Sequence, residues 1–453
     1  MATTLLWHDY ETWGVDPRRD RACQFAAMRT DTELNSIGEP LMVYCRPTPD
    51  FLPSPQSALI TGITPQQVEA EGLNEAEFFG VVDQQFSRPG TCGVGYNSLR
   101  FDDEVTRFGL YRNFFDPYAR EWQNGNSRWD ILDLVRMTHA LRPEGINWVE
   151  REPGIPGFRL DQLTVANGIA HEGAHDALAD VRATIEMARL IRSRQPRLYD
   201  YYFELRNKSR AAGLLNLASR EMVLHVTGMY PAVLGCIAPV IPLIQHPLNK
   251  NAVVVYDLRH NPRELLSLPA DEIQRLLYTP ADELAEGQER PPLKTVHLNK
   301  SPALAPLSTL SEELAARWVI DLDSAAEYRR QLLEDANITA TLTQVFHRRE
   351  QYPPQDVDAA LYAGFIDNRD KRLSEQVRRA SPQRLAEWQP PFADKRLQQL
   401  YFRYRARNWP ASLSAEEQQS WRDFCEQRNL RGEQGATLRL QEYRRQIEEL
   451  RAG

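Results

Sequence analysis

Apolar and polar positions follow two periods along the first 195 residues. Thr4–Leu5–Leu6–Trp7–His8–Asp9 is a short apolar run that closes in polar residues, the mark of a strand. Phe25–Thr30 and Leu41–Cys45 read as its partner strands, with a turn at Gly38–Pro40 between them. From Glu75 to Ser87 the spacing is helical, with Phe78, Phe79, Val82 and Phe86 on one side. Cys92–Tyr96 reads as a further strand, and helices are predicted over Asp102–Asn113, Asp130–Leu141, Leu160–Asn167 and Asp176–Arg194. Hairpin strands followed by alternating units predict an α/β domain with a mixed sheet.

Gln195–Pro196 ends the long helix, because proline cannot continue it. From about 215 to 305 the texture becomes β-rich. Val223–Gly228, Ala252–Tyr256 and Leu293–Leu298 are strand candidates, with a helical insertion around Ala270–Leu277. Met222 to Asn249 carries no Asp, Glu, Lys or Arg and is long enough to span a bilayer. Pro231, Pro239, Pro242 and Pro247 interrupt it, so buried β structure is expected there instead. Beyond about 323 the pattern is helical, clearest at Ser324–Leu333, Asp356–Phe365, Leu397–Tyr404, Glu416–Glu426 and Leu438–Leu450. These changes divide the chain into 1–195, 196–350 and 351–453.

Composition narrows the class. The chain has 453 residues, 42% hydrophobic and 26% charged, which fits a soluble multidomain protein and excludes a disordered or fibrous one. Five cysteines without a C-x-x-C pair argue against a disulfide framework or a thiolate zinc site. No basic n-region or long apolar h-region opens the chain, so a cytoplasmic setting without a signal peptide is expected. The net charge of −8 does not advertise nucleic-acid binding, which would need positive charge gathered in a groove.

The chemistry begins at His8-Asp9-Tyr10-Glu11-Thr12. In a strand, residues i and i+2 share a face, so Asp9 and Glu11 set two carboxylates side by side. Such a pair suits Mg²⁺, an oxygen-seeking ion, although alone it also fits an acidic loop edge. His8 points to the other face, as a packed or surface histidine. Asp102 and Asp103 open a helix after a Gly–Tyr–Asn turn, where acids also complement the helix dipole. His175 precedes a third helix, with Asp176 at its start and Asp180 one turn later. Asp176 also fits an N-cap and His175 a general base. Four carboxylates and a histidine over one strand end and two helices match two-metal phosphodiester hydrolysis, with ions roughly 4 Å apart. The remaining histidines, His171 among them, show no zinc spacing.

H-D-Y-E-T, then G-Y-N-x3-F-D-D-E-V-T-R, then H-x4-D resemble the DEDDh (DnaQ-like) 3′→5′ exonucleases. The strings Y-R-N-F-F-D-P-Y, N-S-R-W-D, L-R-P-E-G-I-N-W, I-T-G-I-T-P, R-Q-P-R-L-Y-D-Y, H-P-L-N-K-N-A-V and Y-R-A-R-N-W-P extend the resemblance to the bacterial exodeoxyribonuclease I family over essentially the whole chain. The resemblance implies an RNase H-like mixed sheet with flanking helices, an SH3-like β domain and an α-helical C-terminal domain. It implies Asp9, Glu11, Asp102 and Asp180 as ligands of two Mg²⁺ ions (Mn²⁺ as a substitute), with His175 as general base and Asp103 as a neighbour only. Glu11 and Arg159 would contact substrate. The implied activity is processive 3′→5′ degradation of single-stranded DNA to 5′-mononucleotides. The implied partner is the acidic tail of single-stranded-DNA-binding protein, which the basic residues around Arg142 and the β-to-helical region would receive. A channel within one chain would suit a monomer without membrane attachment.

Arg107, on the helix that Asp102 opens, and Trp122, in the aromatic loop Tyr111–Trp122, are further candidates to touch the strand; Trp122 equally fits a loop anchor. Tyr401–Trp409 mixes three arginines with four aromatics, and Lys395–Gly453 holds 12 basic against 8 acidic residues. That mixture suits a single-strand channel, or an amphipathic helix with an aromatic core. Two rival functions share these residues: an RNA-trimming exoribonuclease of the same superfamily and a non-catalytic single-strand-binding adaptor. The catalytic residues do not separate DNA from RNA, since that choice rests on the 2′-OH.

Overall fold

The computed structural model describes residues 3–171, 176–347 and 356–452. It forms two compact units: Met1–Arg128 with Ala170–Ile185 and Tyr352–Gly453, and Trp129–Ile169 with Glu186–Gln351. The first is built on a mixed sheet of β1 (Thr4–Thr12), β2 (Ala22–Thr30), β3 (Leu41–Tyr44), β4 (Thr91–Gly95) and β5 (Ser127–Asp130), in the order β3-β2-β1-β4-β5. β1 pairs antiparallel with β2 and parallel with β4.

The side chains of β1 explain its central place. Leu6 and Tyr10 pack with Phe25, Phe78, Phe79, Val82 and Phe86 in one buried cluster. The four helical positions predicted for this face thus all lie in the core, on the helix Glu75–Phe86 that Asn74 caps. The helix Asp102–Arg112 comes close enough that a Cβ at Gly109 would stand 1.9 Å from the Phe79 ring. Only glycine permits that approach.

The C-terminal helices pack on the same unit. Leu397, Leu400, Tyr401 and Tyr404 of the helix Lys395–Asn408 join Phe108, Tyr111 and Phe114 in a second core. Beside it lies a buried ion cluster. Arg407 meets Asp50 at 2.6 Å and Asp358 at 2.9 Å, and Arg21 meets Glu75 at 3.2 Å and Asp358 at 3.1 Å. Arg112 meets Glu75 at 2.9 Å, Arg428 meets Asp358 at 3.1 Å and Arg403 meets Asp356 at 2.7 Å.

This cluster corrects two expectations. The helix predicted over 356–365 is instead two short 3₁₀ turns, Val357–Ala359 and Leu361–Ala363. Positions i and i+2 of an α-helix face apart, so a helix could not turn both Asp356 and Asp358 toward one group of arginines. The arginines of Tyr401–Trp409 are also not a strand-binding face: Arg403, Arg405 and Arg407 are all buried and ion-paired, Arg405 to Glu417 at 2.8 Å.

In the second unit, β6 (Val149–Glu152) and β7 (Ile155–Gly157) form a hairpin. β8 (Val223–Val226), β9 (Ile237–Gln245), β10 (Ala252–Asp257), β11 (Leu293–His297) and β12 (Ala303–Pro306) form a sheet in the order β11-β10-β9-β8-β12. The uncharged run Met222–Asn249 becomes β8 and β9, as its prolines required. Pro242 sits where the β9–β10 register shifts, a position that tolerates a missing N–H. The helix Ala270–Tyr278 is the insertion between β10 and β11. Among the described residues, no helix is long and apolar enough to cross a membrane.

Candidate active site

The end of β1 delivers the first two acids. Asp9 stands opposite Ala26 and Glu11 opposite Gln24 on β2, and the register breaks just after Glu11. Such irregularities re-aim side chains where a strand leaves its sheet. The helix Ala177–Arg194 brings Asp180, in its first turn, to the same place. Ligand oxygens of Asp9, Glu11 and Asp180 all lie within 4.8 Å of one another. Asp102, the first residue of its helix, accepts the Tyr10 N–H at 3.2 Å, between the two β1 acids. Thr106 supports this corner, its hydroxyl lying 2.9 Å from that of Tyr10 and 2.8 Å from the Asp102 carbonyl.

The electrostatics separate neighbouring acids. Burial raises the Asp9 carboxyl well above its usual range, and the charges of Asp102, Glu11 and Asp180 push the same way. Glu11 is pushed up to about 8 by burial, then by Asp180, Asp102 and Asp176. Full ionisation of this group near neutral pH is unfavourable unless cations offset the charge. Asp103 is the opposite case. Burial alone would raise it, but Arg120 at 2.7 Å and Arg128 at 2.6 Å outweigh that and hold it well below the usual range. Asp103 is thus committed to arginines, while Asp102 faces the other acids. An oxygen-only donor set of crowded, protonation-prone carboxylates suits hard divalent cations.

His171, one of the histidines without zinc spacing, places Nε2 2.5 Å from an Asp180 oxygen. No spacing rule marks a histidine nine residues before its acid. His175 lies outside the described residues. His8 is a packed histidine, edge-on to Phe86 at 4.9 Å, and burial lowers its pKa to about 4.

The remaining candidates occupy distinct settings. Arg107 is buried, with Nε 2.6 Å from Glu121, Nη1 2.5 Å from Glu104 and Nη1 3.2 Å from the Tyr362 hydroxyl. Trp122 follows Glu121 and is 67% exposed. Phe365, which the sequence did not single out, is 96% exposed in the same unit. In the second unit, Arg159 precedes the helix Leu160–Ala166 and pairs at 3.0 Å with Asp161 on the surface. Arg142 donates to the Thr309 carbonyl at 3.2 Å.

Sequence and structure comparisons identify relatives along the whole chain. Family models match residues 6–188 (Exonuclease), 206–348 (Exonuclease I SH3-like domain) and 355–453 (Exonuclease I C-terminal domain). Exodeoxyribonuclease I of Escherichia coli is 47% identical over 92% of this chain and 88% of its own. A solved structure of a moderately thermophilic exonuclease I from Methylocaldum szegediense has 49% identity and a TM-score of 0.95, covering 100% of this chain and 95% of the other. The zinc-bound E. coli exonuclease I complex with single-stranded DNA has 45% identity and a TM-score of 0.92, covering 99% and 94%. The acid cluster thus sits in a segment that matches the Exonuclease model, followed by segments that match the exonuclease I SH3-like and C-terminal models, and with 47% identity to the E. coli relative over 92% of its length the chain belongs to the exonuclease I family.

Proposed function

We propose that this protein is a 3′→5′ exonuclease that hydrolyses single-stranded DNA processively to 5′-mononucleotides in DNA repair or recombination. The observation that carries this reading is the convergence of Asp9, Glu11 and Asp180, with ligand oxygens within 4.8 Å and Asp102 alongside. Asp9, Glu11, Asp102 and Asp180 hold two Mg²⁺ ions, for which Mn²⁺ can substitute. The ions supply Lewis-acid stabilisation of charge on the reacting phosphate. His175 takes the proton of the attacking water. Glu11 and Arg159 contact the strand, and the exposed indole of Trp122 offers a face for a base. Arg107 serves the strand indirectly, through the Glu121–Trp122 turn that it holds.

The functional parts follow the divisions at 195 and 350. The basic residues around Arg142 and the β-to-helical region receive the acidic tail of single-stranded-DNA-binding protein. The enzyme works as a cytoplasmic monomer. Support comes from the E. coli relative, which has been crystallised with single-stranded DNA and with a zinc ion bound.

The test is a gel of purified protein with Mg²⁺ on 5′-labelled single-stranded DNA, matched RNA and blunt duplex. Shortening of the DNA strand from its 3′ end, with RNA and duplex spared, is expected. Preferential RNA trimming would move the protein to the exoribonuclease branch. Binding without cleavage would make it an adaptor.

A further inference from the structure

Gln24 lies on β2 and is almost wholly buried, 1% exposed. Two observations give it an unusual position. In the β1–β2 register it stands directly opposite Glu11, so the two side chains leave the same face of the sheet. Its Oε1 also accepts the backbone N–H of Ala177 at 3.2 Å, across 153 positions of sequence. Ala177 is the first residue of the helix that carries Asp180.

The start of a helix leaves its first N–H groups without helical partners. Here Asp176 accepts from Leu178 at 3.0 Å and from Ala179 at 3.1 Å. That local cap would form wherever the helix lay in space. The Ala177 N–H goes instead to Gln24, which fixes where the helix start sits against the sheet. One amide thus sets the helix that brings Asp180 against the strand that brings Glu11.

We propose that Gln24 is a positioning residue of the metal centre: its amide oxygen, bonded to Ala177 and standing across from Glu11, sets the separation of Glu11 and Asp180. It acts through the backbone of Ala177. The proposal rests on the assignment of divalent cations to Asp9, Glu11 and Asp180. Groups that orient metal ligands typically change affinity by about 10–100-fold when removed.

The test measures Mn²⁺ binding to the metal-free full-length protein by isothermal titration calorimetry, alongside its melting temperature. Gln24→Met keeps the volume and removes the acceptor. Affinity about tenfold weaker in Gln24→Met is expected, with little change in melting temperature. Ala177→Pro removes the same hydrogen bond from the helix side, since proline is tolerated at a first helical position, and should weaken binding likewise. It also serves if Gln24→Met does not fold. Wild-type affinity in a folded Gln24→Met or Ala177→Pro protein would overturn the proposal. Asp180→Asn is the control: if it too binds Mn²⁺ like wild type, the metal assignment itself has failed rather than the role of Gln24.

Discussion

At the residue scale, adjacent acids carry opposite duties. Asp103 neutralises two buried arginines, whereas Asp102 stands among carboxylates. Asp103→Asn should therefore destabilise the protein by about 3–5 kcal/mol, because it leaves buried guanidinium charge uncompensated. Asp102→Asn should keep a near-native melting temperature and lose nuclease activity. Paired melting curves and nuclease assays check both. Glu11 gives a pH prediction. Its folded pKa of about 8 lies above the ordinary 4.5, so the metal-free folded state keeps a proton that the unfolded chain releases. Stability is then fully present below the ordinary value and is lost as pH rises through the folded one. In chelator, the melting temperature of the wild type should fall more between about pH 5 and pH 9 than that of Glu11→Gln, while the variant is inactive. The Asp9–Glu11 pair was legible because a strand repeats every two residues. The choice of Asp102 over Asp103 came from the family resemblance. Nothing local in the sequence distinguishes them, since Arg120 and Arg128 lie in other elements.

At the element scale, legibility followed the origin of each element. The helix Glu75–Phe86 was readable because its buried face is written in its own residues. The 356–365 segment was misread because distant arginines override its helical pattern. Arg403, Arg405 and Arg407 carry the composition of a nucleic-acid groove, yet Asp356, Glu417 and Asp50 hold them. No spacing within the helix announces partners so far along the chain. Gly109 lies against Phe79 of the neighbouring helix, and Gly109→Ala sets a methyl against that ring. Overpacking of this kind typically costs about 1–3 kcal/mol, read as a lower denaturant midpoint at an unchanged slope. The helix propensity of alanine would act in the other direction by up to about 1 kcal/mol, so the clash should win.

At the scale of the molecule, the first unit is assembled from sequence that lies far apart, and the buried ion cluster binds its parts. Arg21, Asp50, Glu75 and Arg112 belong to the N-terminal segment, whereas Asp356, Asp358, Arg403, Arg407 and Arg428 belong to the C-terminal one. Five arginines face four acids, so each acid is over-supplied with positive charge. Burial alone would raise Asp50 and Asp358, but Arg407 leads the guanidinium groups that hold both below the usual carboxylate range. For a depressed carboxyl, stability is present above the unfolded pKa and is lost as pH falls through the folded one. The wild-type protein should therefore lose stability steeply below about pH 4. Arg407→Met removes the arginine shared by Asp50 and Asp358. At neutral pH it should cost about 3–5 kcal/mol, the usual consequence of breaking a buried pair from one side. Near pH 4 the cost should shrink, because the released acids can take up protons and become neutral. Since the cluster joins both segments, tryptophan fluorescence and far-ultraviolet circular dichroism should report one shared transition in the wild type. In Arg407→Met the C-terminal helices should melt first. Coincident transitions in the variant at every pH would show that the apolar core around Phe114 and Tyr401, rather than the ion cluster, holds the two segments together.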